Sequence, residues 1–339
     1  MSRPLKDFPL GRPIQISLWY PAARPSGAPV SSPMLYRDYM ILGLSERSLT
    51  PPRPEAIDGM LTEYRKFLES TGLDAPEADR LLATPMHARR DAPAAPGAFP
   101  LVLMAPGNSQ SAEDMAALAE ALASRGFRVA CVPSPTRISG PMESEADIAG
   151  KADEQASDLA FARAILGGKD RAAPTVAVGH SFGARSALLW AMRDPSVAGV
   201  VSLDGGIGSA TGKGRLEAAL GFSRERMTAP LLHFYEEVDP QMAPDFGLIR
   251  SLARCDRWLV RVADMHHVHF TTVGALIAVS PGLSRATSAT GETAEAWQEV
   301  GEATLSFLRD RLNERKSRAS RWRVPAGRDL RVEALPASR

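Results

Sequence analysis

The sequence predicts an α/β fold on a doubly wound, mostly parallel sheet, and three observations carry that prediction. First, short continuous apolar runs recur from residue 101 onward: LVLMA (101–105), FRVACV (127–132), TVAVG (175–179), VAGVVSL (197–203) and PLLHFY (230–235). Runs of this length read as strands covered on both faces, as parallel strands are. Second, Gly-rich turns and helical segments separate them, namely AEDMAALAEALASRG, DEQASDLAFARAIL (153–166) and GARSALLWAM (183–192). Each is long enough to carry the chain back to the start of a parallel neighbour. Third, 339 residues at 44% hydrophobic and 23% charged are enough for a sizeable core.

Residues 14–20, IQISLWY, alternate apolar and polar and stop at Pro21, which reads as an early edge strand. From Tyr36 to about Arg90 the pattern is helical, clearest where Leu61, Tyr64 and Leu68 recur at three- and four-residue spacing. This block precedes the main strands and is expected to be an insertion or lid. RWLVRVA (257–263) adds a late strand, and ETAEAWQEVGEATLSFLRDRLNERK an amphipathic helix with Ala296, Val300, Ala303 and Phe307 on one stripe. Residues 1–312 are therefore read as one domain and 313–339 as a basic C-terminal tail. Between Arg309 and Arg331 nine basic residues stand against three acidic ones, so a solvated tail is expected, with peripheral contact to anionic lipid as the sharper reading.

Forty Lys and Arg balance thirty-nine Asp and Glu, a net charge of +1, so no global field is available to hold a nucleic acid. Cys131 and Cys255 form no C-x-x-C pair, which argues against a disulfide scaffold, a zinc finger or a thioredoxin-type site. The N-terminal MSRPLKDFPLGRP lacks the apolar stretch of a secretory signal, and no segment reaches the length of a membrane span. A soluble chain is expected, cytoplasmic as given and secreted or periplasmic if a leader has been removed.

Gly179-His180-Ser181-Phe182-Gly183 fits G-x-S-x-G, and it stands between a strand and a helix, where a nucleophile elbow belongs. Ser181 needs a base to become nucleophilic. His180 adjoins it and is expected to pack, His233 lies in an apolar run, and His87 falls in the helical insertion. His266, His267 and His269 remain, in a loop after a late strand, where the base of such a fold lies. The H-x-H spacing also suits a metal, but no further ligand completes a set, so neither metal nor cofactor is expected. For the acid, Asp204 closes a strand 23 residues after the serine and Asp239 closes the next, 58 residues after it. Spacing does not choose between them. Oxyanion donors are expected from the backbone N–H groups of Phe182, which follows the serine, and Asn108, in the turn after LVLMA, where Gly107 permits close approach.

These residues resemble the α/β-hydrolase superfamily, and more narrowly the bacterial relatives of platelet-activating-factor acetylhydrolases and dienelactone-hydrolase-like serine esterases. ISLWYPA resembles the opening strand, FPLVLMAPG the oxyanion turn, and GHSFG with LDG the most specific part. The resemblance implies a serine esterase with Ser181 as nucleophile and a small ester substrate. It places the acid on Asp204, with Asp239 as the alternative known from the wider superfamily. It places the base on His267, which opens an H-x-x-F stretch, with His266 as the alternative. Position 181 is Ser and not the Cys of dienelactone hydrolases, and Pro106 stands where relatives carry His. Amide, thioester or polyester cleavage by the same machinery, or a silent fold kept as a binding module, are the alternatives.

Overall fold

The computed structural model describes residues 12–23, 32–168, 173–210, 212–312 and 322–338. The chain begins with β1 (Ser17–Trp19), followed by helices α1 (Tyr36–Ser48), α2 (Pro54–Ser70) and α3 (Ala75–Leu82). Then come β2 (Leu101–Ala105), α4 (Ala116–Ser124), β3 (Arg128–Cys131), α5 (Pro135–Ile138), α6 (Glu145–Leu166), β4 (Thr175–His180) and α7 (Gly183–Arg193). The second half adds β5 (Val197–Leu203), α8 (Gly212–Glu217), β6 (Leu231–Tyr235), α9 (Gly247–Ser251) and β7 (Arg257–Val262). It closes with α10 (Thr272–Leu276), α11 (Pro281–Ala286), α12 (Thr293–Arg311) and β8 (Leu330–Leu335).

The eight strands form one sheet in the order β1-β3-β2-β4-β5-β6-β7-β8. Pairing is parallel from β3 to β7 and antiparallel only at the two edges. Because successive side chains on a strand point to opposite faces, β2 sends Val102 and Met104 into one core and Leu101, Leu103 and Ala105 into the other. Residues of α1, α2, α3, α4 and α12 fill the first, and those of α6 and α7 the second. Apolar runs with no polar face are what such a sheet requires, since helices cover both sides. The chain steps from β2 outward to β3, then returns to place β4 on the other side of β2. That reversal makes a topological switch point at the C-terminal ends of β2 and β4, the place where doubly wound sheets bind ligands.

Two expectations change. The edge strand is shorter than residues 14–20, because only Ser17, Leu18 and Trp19 find partners on β3. Gln15 instead turns its side-chain amide to the Leu42 carbonyl of α1. The C-terminal segment is not a free tail throughout. Residues 313–321 lie outside the described residues, but Leu330–Leu335 pair along the whole of β7 as the last strand. Arg250 clamps that strand with a bidentate contact to Glu333 at 2.7 and 2.8 Å. No helix among the described residues is long and apolar enough to cross a membrane.

Candidate active site

Ser181 sits on the turn that joins β4 to α7, with φ at +52°, a conformation an L-residue adopts only when its surroundings enforce it. The surroundings here are backbone. The Ser181 N–H donates to the Leu203 carbonyl at 3.1 Å, and its carbonyl accepts from Gly206 N–H at 3.0 Å. The turn is so tight that a Cβ on Gly183 would lie 2.0 Å from the Ala105 carbonyl oxygen. A side chain there would push α7 off β2, so the glycine is what lets the helix start against the sheet.

His267 Nε2 lies 2.9 Å from Ser181 Oγ, and His267 Nδ1 lies 2.5 Å from Asp204 Oδ2. His267 opens a short helical turn, residues 267–270, and its side chain is about one quarter exposed, at 26%. Asp204 follows the last residue of β5 at φ +42° and is buried. Its second oxygen accepts the Glu236 N–H at 3.3 Å. Burial pushes the Asp204 carboxyl above its ordinary value, and the hydrogen bond from His267 opposes that rise. A carboxylate so placed selects the tautomer with the proton on His267 Nδ1, which leaves Nε2 as an acceptor for the serine hydroxyl.

The two alternatives lie elsewhere in the hydrogen-bond network. The Asp239 carboxylate accepts the Gln241 N–H at 2.8 Å and caps the turn 240–242, and among the described residues it bonds to no histidine. His266 precedes the 267–270 turn, its N–H donating to His269 Nδ1 at 2.9 Å and its ring edge-on to His269 at 5.4 Å. His269 is buried, and burial pushes it down to about 4.

Gly107 approaches Ser181 so closely that a Cβ on it would stand 3.0 Å from the serine Cβ. Asn108 follows in the same turn, and Phe182 follows the serine. Among the described residues no protein group accepts from either backbone N–H, so both are free to bind developing negative charge. Gln110 was not singled out by the sequence, and His180 was expected only to pack. Gln110 Oε1 accepts the Gly107 N–H at 2.6 Å and lies 2.8 Å from His180 Nδ1. Position alone carried a faint signal, since both flank the two turns that must meet.

Among the described residues no three His, Cys, Asp or Glu side chains converge as metal ligands. Cys131 and Cys255 are both buried free thiols. A cavity of about 630 Å³ lies beside β1, lined by Trp19, Tyr39, Glu113 and Glu120 among others, and includes no residue of the Ser181 cluster.

No family model matches the chain, and a search of the curated proteins finds no match. Among solved structures the chain is similar to a ferulic acid esterase from Streptomyces cinnamoneus, at 20% identity and a TM-score of 0.60. The likeness covers 94% of this chain and 88% of that one, so the two share a fold over nearly their whole lengths.

Proposed function

We propose that this protein is a serine hydrolase of carboxylic esters, of the short-chain acyl or lipid type, working through an acyl-enzyme. The observation that carries the reading is the continuous chain of contacts from Ser181 Oγ through the His267 ring to Asp204, at 2.9 and 2.5 Å. The shared fold with a ferulic acid esterase is in keeping with an ester substrate.

In this reading Ser181 Oγ attacks the acyl carbonyl carbon while His267 Nε2 takes its proton. The N–H groups of Asn108 and Phe182 hold the oxyanion of the tetrahedral intermediate. When the intermediate collapses, the bond from carbon to the alcohol oxygen breaks and His267 returns the proton to the leaving alcohol. Water then repeats the attack on the acyl-Ser181 ester, again with His267 as base, and frees the acid. Asp204 stays ionised throughout, orienting the ring and stabilising its cation.

Turnover of p-nitrophenyl esters of increasing chain length tests the reading. Hydrolysis by the wild type and loss to a residual level in Ser181→Ala support it; equal rates in both proteins, or none in either, contradict it.

A further inference from the structure

The imidazole of His180 has no role in the reaction above, yet both of its nitrogens point at parts of the site. The ring is 1% exposed. Nδ1 lies 2.8 Å from Gln110 Oε1, and Nε2 lies 3.2 Å from the backbone carbonyl oxygen of His267. Its face lies on the His267 ring, with centroids 4.7 Å apart and planes tilted by 31°. Gln110 Oε1 in turn holds Gly107 N–H, in the turn that carries the Asn108 donor. One buried ring therefore touches the base, the turn bearing the base, and through Gln110 the turn bearing an oxyanion donor.

We propose that His180 is a positioning residue that keeps the His267 ring and the oxyanion turn in register with Ser181. The proposal rests on the esterase reading above and adds a residue to it.

Two physical features fit the task. Both groups facing the ring nitrogens are oxygens that can only accept, and the Gly107 N–H fixes which end of the Gln110 amide is oxygen. Burial holds His180 neutral, pushed down to about 3, so one ring nitrogen carries the proton and donates to one of these two oxygens, and the tautomer decides which. A neutral ring is also what can stay against His267 when His267 becomes cationic during the reaction. A second cation at 4.7 Å would oppose that step.

Three variants test the proposal. His180→Phe keeps the flat ring and removes both polar contacts. His180→Asn places an amide where Nδ1 stands, and His180→Gln places one near Nε2. With p-nitrophenyl acetate, His180→Phe is expected to lose about 10- to 100-fold in kcat with KM within about twofold, because misplaced groups cost the transition state more than the ground state. At least one of the two amides is expected to recover most of the loss, and the one that does so identifies the ring nitrogen whose proton matters. Wild-type kcat in His180→Phe, or an equal loss in all three variants, overturns the proposal.

A readout that needs no turnover separates this inference from the esterase reading. The hydrogen-bonded proton between His267 Nδ1 and Asp204 gives a far-downfield proton resonance when the ring is held in place. If the wild type hydrolyses no ester, the esterase reading fails while this resonance still decides the positioning role. Loss or broadening of it in His180→Phe supports the role, and an unchanged resonance overturns it.

Discussion

The backbone carbonyl of Ser181 accepts the N–H of Gly206 at 3.0 Å, two residues beyond Asp204. With the Ser181 N–H on Leu203, the turn at the end of β4 and the turn at the end of β5 are clasped by main chain on both sides of the acid. Asp204 is thereby held near the serine whatever the histidine ring does. Asp239 lies beyond β6 and spends its carboxylate on the Gln241 N–H.

Asp204→Asn is accordingly expected to lower kcat by about 10⁴, since an amide no longer selects the productive tautomer of His267. Asp239→Asn should stay within a few-fold of wild type. Steady-state kinetics on p-nitrophenyl acetate decide the matter: a larger loss in the Asp239 variant would transfer the role of the acid.

Gly183→Ala places a methyl group 2.0 Å from the Ala105 carbonyl oxygen, a contact backbone must move to relieve. A loss of about 3 kcal/mol or more in unfolding free energy is expected, the upper range for overpacking. Gly59 is exposed in the middle of α2 with nothing within 4 Å of an added Cβ, and Gly59→Ala should gain up to about 1 kcal/mol. Urea denaturation of both variants checks the pair. Shifts of the same sign and size would mean that the close approach at the elbow is not what makes the glycine necessary.

Glu113 gives a pH-dependent prediction. One carboxyl oxygen accepts from Ser17 Oγ at 2.5 Å, the other is buried and has no partner among the described residues, and burial pushes the group up to about 8. A raised value in the folded state means that the native protein binds this proton more tightly than the unfolded chain. The resulting stability is present in full below the ordinary carboxyl value and is lost as pH rises towards about 8. Relative to Glu113→Gln, the wild type should lose up to about 1.4 kcal/mol per pH unit across that range. Urea midpoints at pH 5, 6.5 and 8 test this, and a difference between the two proteins that does not change with pH contradicts it.

Much of the fold was legible because parallel strands buried on both faces leave uninterrupted apolar runs; β2, β5 and β6 each lie within one, and β4 extends one residue past its own. The serine was legible for a related reason, as the glycines of its turn answer to local crowding between β4 and α7. What escaped depends on partners distant in sequence. In β8 only Leu330 is well buried, and the strand is held by pairing to β7 and by Arg250 on Glu333, so its brief alternation of Leu330, Val332 and Ala334 with charged residues marks no buried face. The choice between Asp204 and Asp239 escaped spacing because both close strands at the same end of the sheet. It is the turn after each strand that separates them, towards His267 for one and towards Gln241 for the other. His180 was expected to pack, and it is buried, but its ring also reaches Gln110 and the back of His267.

The central claim is that Ser181 is activated by His267, and covalent labelling measures it most directly. Folded wild-type protein treated with a fluorophosphonate and mapped by peptide mass spectrometry should carry one adduct, on Ser181, formed far faster than in His267→Ala. No adduct on the folded protein, or an adduct on another residue with Ser181 unmodified, would contradict the account.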